Sequence, residues 1–296
     1  MRKSQIISLV ILLILVTVVI WIGALSGDNN SEIKPTEAPS GVQSGKNQPT
    51  AVPEATPAIT DGEILALPTN SITWSTSFSD GIAQPYLDAS ILEQMAKYDC
   101  VYDGSSFGQE GAYITFDIGY GSSTDIKDIE AILDALKNTE TKAIFFVTNE
   151  FFQGNVTEVT KRIVNEGHQI GNRGKIVDGS NMSVLSIDDY KAALSEVENG
   201  YKAIMGQEAK IKYFRPFGGK FSIRDLAIAK QRGYTTVLWT TLYGSESLSG
   251  LSSRIEKELY NKAIFSIASY SVNGDSATLK SALETAAGKY ALKQLP

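Results

Sequence analysis

Residues 113–120 read Tyr113-Ile114-Thr115-Phe116-Asp117-Ile118-Gly119-Tyr120, an apolar run that ends in a carboxylate and a glycine. The run predicts a strand over residues 112–118, because strands with near-continuous apolar side chains are buried on both faces, as in a parallel sheet. In parallel α/β folds the functional groups lie at the carboxyl ends of the strands. The stretch therefore predicts a buried strand with Asp117 near its functional end.

Strands and helices alternate from this point to the end of the chain. Six strand–helix units between residues 112 and 290 predict an α/β fold, with a closed or nearly closed (β/α) barrel inside a ring of helices. A doubly wound open sheet is the alternative. The predicted strands cover 112–118, 142–148, 168–172, 212–216, 235–239 and 263–267, and the predicted helices cover 125–136, 156–165, 187–205, 222–232, 252–260 and 277–290.

Three segments precede the folded domain, which we place at residues 71–296. Residues 6–25 are almost purely apolar and long enough to cross a bilayer as a helix. The tail 1–5 carries Arg2 and Lys3, which predicts a cytoplasmic N-terminus and a single-pass signal anchor in the cell membrane, with the domain on the extracytoplasmic side. A cleaved signal peptide is the alternative. Residues 26–70 are rich in Pro, Thr, Ser and Gly and predict a flexible, disordered linker.

Charge and cysteine content exclude several classes of function. The formal net charge is −6, which argues against nucleic acid and anionic lipid as partners. Cys100 is the only cysteine, so neither an intramolecular disulfide nor a thiolate zinc site can form. The chain also has one histidine, His168, although hydrolytic metal sites take their ligands mainly from His.

Five motifs in sequence order carry a resemblance to a known family. The motifs lie at 113–120, 142–148, 166–172, 212–219 and 237–239. In that order and spacing they resemble the polysaccharide deacetylase family, also called carbohydrate esterase family 4 or the NodB-homology domain, from about residue 73 to the end of the chain. The lead-in Ile72-Thr73-Trp74-Ser75 and the run 98–104 are most similar to the subgroup that deacetylates muramic acid in peptidoglycan on the way to the spore-cortex lactam.

The resemblance implies metal-assisted hydrolysis of an acetamide. In the family a divalent cation such as zinc, held by one Asp and two His, polarises the carbonyl and orients a water. An Asp held by an Arg acts as the base, and a His on the last strand protonates the leaving amine. Asp117 matches that base and Arg215 matches the Arg that positions it. For both residues a purely structural ion pair is the alternative, because an unpaired buried charge is costly.

The remaining catalytic positions are replaced. The resemblance places the ligand carboxylate at Ile118 and the two ligand histidines at Arg173 and Val177. Ala268 stands where the family has its general-acid His, and His168 matches a position that is not a ligand. These replacements remove the ligands and the proton donor together, so we expect a very weak hydrolase or a pseudoenzyme.

We therefore expect no bound cofactor or metal. Arg173 brings a permanent positive charge to the place of the cation. A site built only from the carboxylates of Asp117 and Asp178 is the alternative, although two carboxylates are few for a hard cation.

Four side chains are candidates for contact with a glycan. Tyr120, Phe217 and Trp239 are aromatic, and apolar sugar faces pack on aromatic rings. Packing in the core or at the rim is the alternative for these three residues. Arg173 could donate hydrogen bonds to a carbonyl oxygen, as an oxyanion-hole group does.

Three hypotheses of function follow. The first is a membrane-anchored protein that binds peptidoglycan or another cell-envelope glycan, or regulates an active deacetylase, without turnover. The second is a weak, metal-independent de-N-acetylase that uses Asp117 as base and Arg173 as electrophile. The third is a structural module that binds protein during wall or spore assembly.

Overall fold

The computed structural model describes residues 59–119, 126–177, 182–244 and 247–296. Within these ranges no helix is long and apolar enough to cross a membrane. The predicted anchor at residues 6–25 lies outside the described residues, as does most of the predicted linker.

The last part of the predicted linker is ordered, which corrects the boundary at residue 70. Helix α1 (Asp61–Leu65) begins with a capping box, in which Thr60 and Glu63 exchange hydrogen bonds. Its Ile64 is fully buried, and Asp61 pairs with Lys191 at 2.7 Å. A capped turn with a buried anchor offsets the conformational entropy that is lost when this short segment becomes ordered.

The core of the molecule is a parallel sheet. Eight strands pair in the order β11-β12-β5-β6-β7-β8-β10-β4, and each pairing along this path is parallel. In chain order the strands are β1 (Ile72–Thr73), β2 (Thr76–Ser79), β3 (Ile82–Pro85), β4 (Cys100–Val101), β5 (Ala112–Asp117), β6 (Ile144–Val147), β7 (Gln169–Asn172), β8 (Tyr213–Phe214), β9 (Lys220–Phe221), β10 (Thr235–Val237), β11 (Thr241–Tyr243), β12 (Ile264–Ala268) and β13 (Leu292–Lys293).

The parallel strands form a half-barrel, which confirms the predicted α/β class. The sequence predicts a closed or nearly closed barrel, but among the described residues the end strands β11 and β4 do not pair with each other. The strands β10 and β11, which lie near opposite ends of the pairing order, belong to one continuous chain segment. The backbone N–H of Leu238 still donates to Val101, whereas that of Thr240 donates to Ile264. The chain therefore changes neighbours between these residues, which is why the predicted strand at 235–239 ends at Val237.

Helices cover the outside of the sheet, and the six predicted ones are confirmed to within two residues at each end. Parallel strands need long crossover connections, and these helices supply them. Beyond α1, the described helices are α2 (Ala89–Lys97), α3 (Ile126–Asn138), α4 (Thr157–Asn165), α5 (Ile187–Met205), α6 (Ile223–Gln231), α7 (Leu251–Glu258) and α8 (Ser276–Lys289). Short 3-10 turns lie at Ser105–Phe107, Asn149–Gln153, Met182–Val184, Phe217–Gly219, Leu248–Gly250 and Ser269–Ser271.

The two faces of β5 serve different purposes. Ile114 and Phe116 pack in a core with α3, α4, α7 and α8. Tyr113 points to the other face and joins a second core with α5 and α6. Because side chains alternate along a strand, Thr115 and Asp117 share the face of Tyr113. The carboxylate is thereby directed to the inside of the half-barrel.

Candidate functional site

Three buried charged side chains meet at the carboxyl ends of the strands. Asp117 is the last residue of β5, Arg173 follows β7 and Arg215 follows β8. Their exposed fractions are 4%, 4% and 0%. We call these three residues the carboxyl-edge cluster. The sequence-predicted base, its positioning Arg and the residue at a ligand position are therefore brought together.

Arg215 is held from every side by hydrogen-bond acceptors. Its Nη1 lies 2.8 Å from Oδ1 of Asp117, and its guanidinium carbon lies 4.0 Å from the ring centre of Phe146. A fully buried guanidinium is stable only when its donors are matched in this way. Its other acceptors are Oγ1 of Thr115 (2.9 Å), Oγ of Ser266 (2.9 Å), and the carbonyl oxygens of Val237 (2.9 Å) and Leu238 (3.1 Å).

Arg173 closes the cluster from the other side. Its Nη1 donates to the carbonyl oxygens of Ile118 (3.2 Å) and Gly119 (3.0 Å). Its Nη2 lies 3.6 Å from Oδ2 of Asp117, which is an ion pair but too long for a hydrogen bond. Its guanidinium carbon lies 4.8 Å from the ring centre of Phe217. The buried Nε–H of Arg173 has no hydrogen-bond partner among the described residues.

The cluster holds two positive groups against one negative group. Burial lowers the pKa of Arg215 below its usual range, and the carboxylate of Asp117 opposes that shift. A guanidinium nevertheless stays protonated at neutral pH. Since Oδ1 of Asp117 is taken by Arg215, its Oδ2 is the oxygen left over beside Arg173. The arrangement thus presents a carboxylate acceptor next to an unused guanidinium donor.

A small pocket opens at this cluster, with a volume of about 40 Å³. We call it the carboxyl-edge pocket. Leu242 and Tyr270 lie at its rim and are 38% and 45% exposed, so they reach solvent beside the buried charges. The pocket is lined by Asp117, Gly119, Arg173, Gly218, Trp239, Leu242, Ala268 and Tyr270.

A divalent metal does not fit the side chains present here. Ile118 is fully buried in the outer core, and Val177 packs against the inner core. Arg173 provides only N–H donors, and a guanidinium repels a cation. Among the described residues no three His, Cys, Asp or Glu side chains come together as ligands. Asp178, the second carboxylate of the alternative metal site, lies outside the described ranges.

The predicted aromatic residues have different surroundings. Trp239 is 6% exposed, and its Cζ2–Cη2 edge packs so closely on Gly219 that an added Cβ there would lie 2.8 Å from the ring. Phe217 is half-buried beneath Arg173. Tyr120 falls outside the described residues. The backbone near the pocket is tied by Trp74, whose Nε1 donates to the carbonyl oxygen of Trp239 and whose N–H donates to Gly219, both at 2.8 Å.

Sequence reasoning missed Leu242 and Tyr270. Tyr270 follows Ala268 by two residues, in the 3-10 turn that ends β12. The signal available in the sequence was an aromatic residue two positions after Ala268, which occupies the general-acid position. Leu242 lies on β11, which was not predicted as a separate strand, so its exposure at the pocket had no signal in the sequence.

His168 lies away from the cluster, at the start of β7, in agreement with its assignment to a position that is not a ligand. Its Nδ1 accepts a hydrogen bond from the N–H of Ala143 at 3.3 Å, so the neutral ring carries its proton on Nε2. Burial, followed by the charge of Lys142, lowers the pKa of His168 to about 4. The imidazole is therefore uncharged at neutral pH.

Comparison with known proteins agrees with the motifs. The sequence profile described as polysaccharide deacetylase matches residues 105–237. A peptidoglycan-N-acetylglucosamine deacetylase of Bacillus cereus is 28% identical over 144 residues, which cover 49% of either chain. An uncharacterized 30.6 kDa protein of Geobacillus stearothermophilus is 32% identical over 178 residues, 60% of this chain and 64% of that protein. The chain thus spans less than two thirds of the curated relatives it matches.

Solved structures share the fold. Bacillus subtilis PdaA, a family 4 carbohydrate esterase, superposes with a TM-score of 0.64 at 25% identity, covering 77% of this chain and 96% of that one. BA3943, described as a CE4 family pseudoenzyme from Bacillus anthracis, superposes with a TM-score of 0.55 at 20% identity, covering 66% and 67% of the two chains. The half-barrel is therefore the scaffold of both an esterase-family protein and a protein described as a pseudoenzyme.

Proposed function

Because this chain belongs to the polysaccharide deacetylase family, we propose that it binds an N-acetylated cell-envelope glycan without hydrolysing it. The observation that carries the proposal is the carboxyl-edge cluster. Arg173 stands where a cation would need a ligand, and its guanidinium is bonded to the backbone of residues 118 and 119. Among the residues that the structure describes, the pocket has polar groups that can hold an amide and none that can cleave one.

The chemistry of the pocket suits an acetamido group. Such a group offers one N–H donor and one carbonyl acceptor, and Asp117 Oδ2 and Arg173 Nε–H are the complementary pair. A volume of about 40 Å³ accommodates roughly three water molecules, or an acetyl group in their place. The methyl of Ala268 and the side chain of Leu242 belong to the apolar part of the lining, together with the ring of Trp239.

Hydrolysis lacks two of its requirements. Amide cleavage needs an activated water and a proton for the leaving amine. A guanidinium does not lower the pKa of water as a metal does, and it does not release a proton at neutral pH. Ala268 has no proton to give. Asp117 alone, paired at 2.8 Å with Arg215, supplies neither function.

The rim supports a polymeric ligand. Tyr270 and Leu242 expose apolar surface next to the pocket, and a tyrosine ring is a common platform for a sugar face. Peptidoglycan is the preferred glycan because a relative named for peptidoglycan deacetylation matches this chain. Attachment through residues 6–25 to the outer face of the cell membrane remains part of the proposal and would hold the pocket near the wall.

Calorimetry with the full-length chain tests the proposal. An N-acetylglucosamine tetramer should bind, its fully de-N-acetylated counterpart should not, and acetate release should stay at background. Arg173→Gln should weaken binding about 10–100-fold, since a charged hydrogen bond contributes roughly 1.5–3 kcal/mol. Lys175→Gln, at a half-exposed neighbour, should leave the affinity unchanged.

Each other outcome selects another reading. Acetate release that is lost in Asp117→Asn and is insensitive to a chelator would establish the metal-independent hydrolase. Metal-dependent turnover, with stoichiometric bound metal, would overturn the non-hydrolytic proposal. Absence of binding to the tetramer and to purified peptidoglycan would leave the protein-binding module.

A further inference from the structure

We propose that a second site, at the amino ends of the strands, binds an N-acylated amino acid carboxylate, either as a free molecule or as the last residue of a peptide. The site is a groove of about 150 Å³ between α4, α5 and the starts of β7 and β8. We call it the amino-edge groove. His168, Gln169, Tyr201, Lys210, Ile211 and Lys212 are the lining residues that concern the ligand.

Two buried polar atoms beside the groove lack partners. Neither Nε2 of His168 nor Oε1 of Gln169 has a hydrogen-bond partner in the part of the chain that the structure describes. Nδ1 of His168 is used by the N–H of Ala143, and Nε2 of Gln169 donates to the carbonyl oxygen of Leu295 at 3.1 Å. Because His168 accepts through Nδ1, its Nε2 carries the proton and is a donor. Because Gln169 donates through Nε2, its Oε1 is an acceptor.

An acylamino group matches that pair. Its carbonyl oxygen can accept from the Nε2–H of His168, while its N–H can donate to Oε1 of Gln169. His168 is only 5% exposed. Its imidazole is neutral at neutral pH, because burial lowers its pKa to about 4. The imidazole thus serves as a neutral donor and leaves the charge of the ligand to other residues.

The mouth of the groove supplies the positive charge. Lys210 and Lys212 are exposed, and neither forms a salt bridge with another described residue. A carboxylate next to the acylamino group can reach these ammonium groups. Ile211 and Tyr201 are half-buried and give an apolar wall for a small side chain.

The groove is separate from the carboxyl-edge pocket. His168 and Arg173 lie at opposite ends of β7, and five residues of extended chain span roughly 16 Å. The inference does not depend on the proposed function, and a failure at one site leaves the other untouched.

The single histidine makes the test direct. In the full-length chain labelled with ¹⁵N-histidine, the only imidazole signals come from His168. Titration with N-acetylalanine should move the Nε2–H signal saturably, while its methyl ester should have little effect. A second titration uses the tripeptide Gly-Gly-Ala. Tighter binding of the tripeptide would indicate the last residue of a peptide as the ligand, and tighter binding of N-acetylalanine would indicate a free acylamino acid.

Surface variants keep the test independent of folding. Lys210→Gln with Lys212→Gln should weaken binding about three- to tenfold, in line with exposed ion pairs. Lys220→Gln with Lys257→Gln removes the same charge from exposed positions outside the groove and should change nothing. No imidazole shift at probe concentrations on the order of 10 mM would mean that the groove binds no acylamino acid and would overturn the proposal. Equal shifts with the methyl ester would mean that the carboxylate is not recognised and would overturn it as well.

Discussion

The two ends of β7 accommodate a buried ionisable side chain in different ways. At the carboxyl end Arg173 keeps a permanent charge, with two carbonyl oxygens and Asp117 around it. At the amino end His168 is neutral at neutral pH, and its Nε2 has no hydrogen-bond partner among the described residues. A guanidinium cannot be neutralised, so the fold has to surround it with acceptors, whereas an imidazole can simply lose its proton. Stability should therefore depend on partners at one end and on pH at the other.

The largest effect should come from removing Arg215. Arg215→Met leaves Asp117 buried with only the longer contact to Arg173, and breaking a buried ion pair in this way costs about 3–5 kcal/mol. Thermal and urea unfolding measure the loss. Arg232→Met removes a surface ion pair to Glu198 and should cost less than about 1 kcal/mol.

A double variant sharpens that result. Arg215→Met combined with Asp117→Asn removes the uncompensated charge as well, so the pair should be more stable than the sum of the single losses predicts. Strict additivity would show that the two side chains do not form one electrostatic unit.

Removing Arg173 should have an intermediate effect. Arg173→Met frees two backbone carbonyls, while Asp117 keeps its shorter bond to Arg215. We expect a loss of about 1–3 kcal/mol of unfolding free energy by urea titration. Lys175→Met, two residues along the chain and half-exposed at its pair with Glu196, is the control and should be nearly neutral. A loss as large as that of Arg215→Met would mean that both arginines support Asp117 equally.

The smallest effect should appear at the amino end, and only in acid. The folded pKa of His168 is about 4, below its ordinary value of 6.5, so the neutral ring is the form that the fold favours. Its contribution is fully present above pH 6.5 and is lost as the pH falls toward 4, because the unfolded chain takes up the proton first. His168→Gln should therefore flatten the Tm profile between pH 7 and 4 by on the order of a few degrees.

The original chain is the control for His168→Gln. The surrounding charges are Lys142, Glu166 and Arg162, and their effect on other groups is common to both proteins. Identical slopes of Tm against pH in the original chain and in the variant would show that His168 is already neutral when unfolded, or charged when folded.

Much of the fold could be predicted from sequence because burial leaves a regular pattern. The continuous apolar runs at 113–118 and 142–148 became β5 and β6, with ends shifted by two residues at most. The short strands β4 and β13 carry only two residues each and have no such pattern. The break between β10 and β11 depends on which strand lies alongside, and a sequence does not state this.

The candidate site was predictable in its members but not in its geometry. An Asp and an Arg at the ends of buried strands had to find partners, and Asp117 and Arg215 did so. That Arg173 binds the carbonyls of Ile118 and Gly119 depends on the path of the backbone after β5. The rim position of Tyr270 likewise depends on the turn that follows β12.

The contacts of α1 have a mechanical consequence. Gln231 donates to Asp61 and to the carbonyl oxygen of Ile59, both at 2.7 Å, and Lys191 holds Asp61 as well. A pull on the chain from upstream of residue 59 would load these bonds before it reached Trp74 and the backbone beside the pocket. We expect α1 to bear tension along the chain first, because it is bonded to Lys191 of α5 and to Gln231 of α6. The carboxyl-edge cluster would then keep its geometry.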